Sequence, residues 1–333
     1  MSDQTKAVTK LTALWALSES GLGGFMHAFK IPFTGFFLGG FAIVIITLLA
    51  GIAKNKSATI LQATLLVVLV KAAASPHSPP MAYIAVSFQG LAGALFYGLI
   101  PSTKIAGPIF GAIALFESAI QKFLVMTLIF GKSVWEALDL FVNGILKDFQ
   151  FASNFSFSYW VMGLYTTLYV IWGFVLGWWS TGLWTKLNVI KSNVINAFDT
   201  LRQGANSTDY GIKNKKKFSK LWSAFFVLLF IVSVFGFNNL GGKAGYAVLR
   251  TIAALLFIWF ILNPLFKWMI AKWVKRKKAQ EQKGLTEILS LLPELKNYLQ
   301  PAYEMAKQKH TGIVRYQVFV MNLITLALFK HDE

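Results

Sequence analysis

Long apolar segments without charge are the feature that most constrains this chain. The segments Ile31 to Ala53 and Leu221 to Phe237 contain no charged residue. They approach the length of about 20 residues that a helix needs to cross a bilayer. Because lipid offers no hydrogen-bond partners to the backbone, each such segment should be helical. The alternating segments of a transmembrane barrel are absent. We therefore predict an all-α fold, a polytopic transmembrane helix bundle.

Composition supports this prediction and explains the charge of the chain. Only 14% of the 333 residues are charged, against about 25% in a typical soluble domain. The net charge of +18 would indicate nucleic-acid binding in a soluble protein. In a membrane protein, Lys and Arg collect on the cytoplasmic side and meet anionic headgroups there. We expect the lipid bilayer and its anionic headgroups as partners, and no nucleic acid.

Hydropathy predicts eight spans. They are Leu11–Phe29, Ile31–Ala53, Ala58–Ala74, Met81–Ile100, Ile105–Phe130, Tyr159–Trp179, Leu221–Phe237 and Ala244–Leu265. The segment Val134–Phe149 is amphipathic, which favours a helix in the membrane interface or across the end of the bundle.

The basic loops predict the orientation. Residues 186–220 contain eight Lys or Arg, and seven more follow between residues 267 and 283. The positive-inside rule places both segments in the cytoplasm. The loops 75–80 and 238–242, which should then be outside, contain no Lys or Arg. We predict that both termini are cytoplasmic and that the chain is a multi-pass protein of a prokaryotic inner membrane.

This topology predicts four parts. Residues 1–184 form a six-helix transmembrane bundle with an outward-facing pocket, and 185–220 form a basic cytoplasmic loop. Residues 221–270 form a two-helix transmembrane hairpin, and 271–333 form a basic helical tail that is cytoplasmic or interfacial. Within the tail, Ile313–Phe329 has 17 residues, the lower limit for a span. We interpret it as interfacial, with a ninth span as the alternative.

Polar side chains inside or beside the spans are the candidate ligand-binding residues. An ionisable group in a span costs about 2.5–3.5 kcal/mol, so it usually faces a cavity or a partner. The candidates are Glu19, His27, Lys71, His77, Gln89, Glu117 and Gln121. The alternative is internal pairing, of Glu19 or Glu117 with Lys71 or Lys122, with no ligand.

Small residues at four-residue spacing mark candidate docking faces. Such stripes allow helix backbones to approach closely in lipid. The first span has Ala16, Ser20 and Gly24, and the second has Gly35 and Gly39. The alternatives are packing within the chain's own bundle and docking of another membrane subunit.

Motifs for enzyme chemistry are absent. The sequence has no HExxH, Walker A, GxSxG or dinucleotide fingerprint. Its four histidines lack the spacing of metal ligands, and without cysteine there is no thiolate site. We expect no metal, no cofactor and no catalytic residues.

The first half of the chain resembles the substrate-binding (S) components of energy-coupling factor transporters. The resemblance rests on the Ala16, Ser20 and Gly24 stripe, on the polar turn from His27 to Lys30 that precedes IPFTGFFLGGFAIVIITLLAG, and on VVLVKAAASPHSPPMAYIAVSFQGLAGALFYGL. It implies a small-molecule site at the outer side of a six-helix bundle, with separate ATPase and coupling subunits. Residues 185–333 depart from the family pattern.

Three functions follow as hypotheses. The first is a substrate-binding and transport subunit for a small metabolite, working with separate energising subunits. The second is a non-catalytic scaffold or accessory subunit of a larger envelope complex. The third is an intramembrane enzyme acting on lipids, for which no acid–base pair has a recognisable spacing.

Overall fold

The structure of the protein is a computed structural model that describes residues 3–23, 26, 33–75, 78–148, 156–204, 251–262, 264–265, 268–269, 272 and 279–330. All regular structure in these ranges is helical, with no strand. The prediction of an all-α fold is confirmed.

Eleven α-helices have defined bounds in these ranges. They are α1 Asp3–Leu17, α2 Thr34–Ile52, α3 Lys56–Ala74, α4 Pro80–Leu99, α5 Thr103–Phe130, α6 Ser133–Asp148, α7 Phe157–Thr181, α8 Leu183–Gly204, α9 Ala279–Asn297, α10 Leu299–Lys309 and α11 Gly312–Phe329. Short π-helical segments, Ser18–Leu22 and Ile258–Leu262, complete the list.

Six of these helices are long and apolar enough to cross a membrane: α2, α3, α4, α5, α7 and α11. The first five correspond to the second to sixth predicted spans. The seventh predicted span lies outside the described residues, and the eighth is described only from residue 251 onward. The membrane character of the chain is therefore supported, while the count of eight spans and the cytoplasmic location of both termini stay predictions.

The two ends of the chain differ from the sequence prediction. The first helix begins at Asp3, before the predicted start at Leu11, and continues from α1 into the π-helical segment Ser18–Leu22. The helix predicted to be interfacial, α11, has the length and apolarity of a span. Its second half, from Asn322 to Leu328, is buried. The amide of Asn322 donates to the carbonyl of Ala302 at 3.4 Å, which helps this polar side chain to be accommodated.

The chain divides into two compact units. The first contains residues 1–122, 162–204 and 265–333, and the second contains residues 123–161 and 205–264. In the first unit, α1 packs against α2, α3, α9 and α11. The C-terminal helices thus belong to the core of the first unit, whereas the sequence predicted a separate tail from residue 271. Two side chains of α9, Ile288 and Leu295, are only 1% exposed.

A tight antiparallel hairpin of α3 and α4 lies in the first unit. The hydroxyl of Ser57, at the start of α3, donates to the carbonyl of Ala94, near the end of α4, at 2.7 Å. A Cβ added at Gly90 would lie 2.0 Å from the hydroxyl oxygen of Thr64. Glycine at this position therefore allows the two helices to touch.

The second unit contains the predicted amphipathic helix, α6. The indole N–H of Trp135, in the first turn of α6, donates to the hydroxyl of Thr127 at 2.9 Å. The carboxylate of Asp139 accepts hydrogen bonds from the backbone N–H and the hydroxyl of Ser158, at 2.6 and 2.8 Å. Because Ser158 lies in the first turn of α7, this carboxylate caps a helix N-terminus. These contacts connect α6 with the helices before and after it in the chain.

Candidate functional site

The first pair of predicted ligand-binding residues forms an internal ion pair. The ammonium of Lys71, in the last turn of α3, lies 2.6 Å from the carboxylate of Glu19. Their side chains are 2% and 6% exposed. The Lys71 ammonium also lies 6.0 Å from the ring centroid of Tyr83. Of the two interpretations for Glu19 and Lys71, the contacts favour internal pairing.

Gln89 of α4 lies at the meeting point of three helices. It is 3% exposed, and its amide oxygen has no hydrogen-bond donor among the described residues. A Cβ added at Gly39 of α2 would lie 3.0 Å from the Gln89 amide nitrogen, 2.7 Å from Leu115 and 3.7 Å from the hydroxyl of Ser118. Both Leu115 and Ser118 belong to α5. The missing side chain of Gly39 therefore allows α2, α4 and α5 to approach at this amide.

Glu117 and Gln121 lie one turn apart on α5 and have different partners. The amide of Gln121 donates to the carbonyl of Met81, the second residue of α4, at 3.1 Å. Gln121 is therefore engaged in holding α5 to α4. One carboxylate oxygen of Glu117 is buried and has no hydrogen-bond partner within the described ranges. Glu117 and Gln89 thus provide two buried acceptor oxygens that no described residue satisfies.

Aromatic side chains of α7 cover the first turns of α2. The rings of Phe36 and Trp172 are stacked, with centroids 5.1 Å apart and an interplanar angle of 6°. The indole nitrogen of Trp172 would lie 3.3 Å from a Cβ added at Gly40. This nitrogen is buried and has no acceptor among the described residues. Trp172 therefore places a buried donor beside α2, and α2 is also the helix that approaches Gln89.

We define the polar centre as Gln89, Ser118 and Trp172, which lie beside Gly39 and Gly40 of α2, together with Glu117, the residue before Ser118 on α5. Its members come from α4, α5 and α7, and α2 contributes glycines at the contact points. The amide and carboxylate oxygens accept hydrogen bonds, and the indole N–H only donates. A buried polar group without a partner costs about 1–3 kcal/mol. The polar centre therefore has the chemistry to bind a molecule that offers both donors and acceptors.

The predicted docking stripes are occupied by the chain's own helices. Ala16 is 0% exposed, and the hydroxyl of Ser20 donates to its carbonyl at 2.6 Å. A Cβ added at Gly35 would lie 3.5 Å from Ser118 and 4.0 Å from Tyr169. Gly39 faces Gln89 and Leu115, as described above. These contacts favour packing within the bundle, and docking of another subunit through these positions stays a prediction.

Three of the predicted site residues lie outside the part of the chain that the structure describes. His27, His77 and Gly24 lie outside the described residues, so their roles stay predictions. Among the described residues, no group of three or more His, Asp or Glu side chains is arranged to hold a metal ion.

A backbone-to-backbone contact between α5 and α7 was not predicted from the sequence. A Cβ added at Gly111 of α5 would lie 2.1 Å from the carbonyl oxygen of Gly173 of α7. The same distance separates a Cβ at Gly177 from the carbonyl oxygen of Gly107. The two helices therefore touch backbone to backbone. The signal was present, since residues 107–111 and 173–177 each have the small-xxx-small spacing that permits such contacts.

Comparisons with protein-family models, curated proteins and solved structures gave no match to this chain. The resemblance to transporter S components therefore enters the functional argument only as a proposal.

Proposed function

We propose that this chain is an integral membrane subunit that binds a small polar metabolite for transport and works with separate energising subunits. The observation that carries the proposal is the amide oxygen of Gln89, which is buried among apolar helices and has no donor in the described part of the chain. Such a group is costly in an apolar environment unless a hydrogen bond satisfies it. In membrane proteins, buried polar groups of this kind mark substrate pathways.

The polar centre defines the class of ligand. Gln89 and Glu117 offer acceptor oxygens, so the ligand has N–H or O–H donors. Trp172 offers one N–H donor, so the ligand also has an acceptor. The stacked rings of Phe36 and Trp172 provide an apolar surface beside this donor. A small metabolite with an amide, an amine or hydroxyl groups and a compact apolar part fits this set, as most small-molecule sites combine apolar walls with a few polar groups.

The energy for transport would come from other proteins. The sequence contains no Walker A motif, so the chain lacks the phosphate-binding loop of an ATPase. The resemblance to S components supports separate ATPase and coupling subunits in a prokaryotic inner membrane. The docking surface for these subunits is a further part of the proposal, because Ala16, Gly35 and Gly39 are in contact with the chain's own helices.

The test is to identify what the protein retains. The full chain is purified from its native membrane in mild detergent, and released small molecules are identified by mass spectrometry. We expect one polar compound with the wild type and the same compound with Gln62→Leu, since Gln62 is an exposed glutamine of α3. We expect loss of that compound with Gln89→Leu. Equal recovery from all three proteins, or no compound above a detergent blank, would contradict the proposal.

A scaffold is the second candidate function, and two observations favour it. The Glu19–Lys71 pair satisfies two groups that a ligand site would otherwise use, and α6 has an exposed apolar face. Purification of the chain from its native membrane distinguishes the two candidate functions. ATPase subunits that purify with the chain support transport, and unrelated envelope proteins that purify with it support the scaffold. The intramembrane lipid enzyme, with Glu19 or Glu117 and Lys71, Lys122 or His77 as acid and base, has the weakest support. No such pair has a recognisable spacing, and Glu19 and Lys71 are paired with each other.

A further inference from the structure

A cavity of about 660 Å³ lies in the first unit, where four helices end or begin. Its walls come from the start of α1, the end of α2, the start of α8 and the end of α11. Apolar and aromatic side chains form much of the wall: Ala7, Ile52, Trp184, Leu328 and Phe329. The volume falls within the range of about 300–1,000 Å³ that is typical of ligand sites.

The cavity is built from contacts within the bundle. The side-chain amide of Gln4 donates to the carbonyl of Ile52, which joins the start of α1 to the end of α2. The ring centroids of Trp184 and Phe329 lie 6.1 Å apart, and Leu328 is 6% exposed. These contacts define an apolar interior that is separate from the polar centre.

Three lysines lie near the end of α11, and each has a partner within the described residues. The ammonium of Lys10 donates to the carbonyl of Lys330 at 3.0 Å. The ammonium of Lys330 pairs with Asp199 at 2.6 Å. The ammonium of Lys191 lies 5.6 Å from the ring centroid of Phe329.

Lys6 differs from these lysines. It lines the cavity, its side chain is exposed, and it has no hydrogen bond or ion pair with the part of the chain that the structure describes. One acidic residue, Asp3, lines the same cavity. Lys6 is therefore the cation available to an anionic group that enters the cavity.

We propose that this cavity binds the headgroup of an anionic phospholipid, with the phosphate at Lys6 and the glycerol and first acyl carbons against Ile52, Leu328 and Phe329. A lysine close to the membrane surface attracts anionic headgroups. Trp184 has the amphipathic ring that prefers the headgroup level of the bilayer. The site does not depend on the substrate site at the polar centre.

The test measures lipid-dependent stability of the detergent-purified full chain. Phosphatidylglycerol, phosphatidylcholine or inorganic phosphate is added to the wild type and to three variants: Lys6→Gln, Ala7→Phe and Lys54→Gln. Lys54 is an exposed lysine that does not line the cavity, and phenylalanine at position 7 fills part of the cavity. Native mass spectrometry counts the lipids that each folded protein retains.

We expect phosphatidylglycerol to raise the Tm of the wild type and of Lys54→Gln, because a ligand that binds only the folded state stabilises it. In Lys6→Gln and Ala7→Phe, the rise in Tm caused by phosphatidylglycerol should fall by at least half. Each of these two variants should also retain one lipid fewer than the wild type. Three results would overturn the proposal. They are an equal shift with phosphatidylcholine, a full shift with inorganic phosphate alone, or an unchanged shift and lipid count in both cavity variants.

Discussion

The ammonium of Lys71 and the carboxylate of Glu19 lie 2.6 Å apart, and both side chains are almost fully buried. Glu19 belongs to the π-helical segment after α1, and Lys71 to the last turn of α3. The pair therefore joins two helices that are distant in sequence. Because each charge is satisfied by the other, removal of one partner leaves an uncompensated charge in the bundle.

Removal of one partner should destabilise the protein strongly. We expect Lys71→Met to lower the free energy of unfolding by about 3–5 kcal/mol, as for other buried ion pairs. The double variant Lys71→Met with Glu19→Leu should recover most of this loss, because no charge then remains unpaired. Lys122→Met is the control, since Lys122 is exposed. Denaturant unfolding in detergent measures the wild type, Lys71→Met, Glu19→Leu, the double variant and Lys122→Met. Additive effects of the two substitutions would contradict the pairing.

Side chains introduced by mutation at the glycine contact between α5 and α7 should also destabilise the protein. Gly111→Leu and Gly173→Leu each place a side chain against a backbone carbonyl only 2.1 Å away. We expect each to cost at least about 2 kcal/mol, because overpacking forces the backbones apart.

Gly163→Leu is the matched control for this prediction. Gly163 also lies on α7, but nothing lies within 4 Å of an added Cβ. Its effect on the Tm should be small. A similar loss of stability in all three variants would refute the specific contact between α5 and α7.

The sequence was sufficient to predict the apolar helices of the first unit, because hydropathy depends only on local composition. Residues 34–52 are an example, as they are apolar throughout. The partners of polar residues depend on helix rotation and on contacts between distant segments. Internal pairing was foreseen as one alternative, but the choice of Lys71 over Lys122 for Glu19 required the structure. The burial of α11 was missed because its apolar segment is short and contains Arg315, Gln317 and Asn322.

The exposed stripe of α6 should lie in the membrane interface. Ala137, Leu140, Phe141, Gly144 and Ile145 share one helix face, and Leu140 and Phe141 are 74% and 67% exposed. A fluorophore that senses polarity, attached to Phe141→Cys, which lies about 120° around the helix from Lys147, should show blue-shifted emission in liposomes and be quenched by spin-labelled lipid. The same label at Lys147→Cys should show neither the blue shift nor the quenching. Equal emission from both positions in liposomes would contradict an interfacial helix.

The predicted orientation can be tested without background labelling, because the chain has no cysteine. Ser78→Cys should react with a membrane-impermeant thiol reagent added to intact cells. Lys215→Cys should react only after the membrane is opened, since the positive-inside rule places residue 215 in the cytoplasm. Labelling of both positions from the same side would refute the topology.

The central claim is that the polar centre holds a small polar molecule, and an experimental structure tests it most directly. The protein would be purified from its native membrane, reconstituted in a lipid nanodisc and solved at a resolution that shows side chains. The account predicts non-protein density within hydrogen-bond distance of the amide oxygen of Gln89 and the carboxylate of Glu117. A bundle in which protein side chains or backbone N–H groups donate to both oxygens, with no other density between α4 and α5, would contradict it.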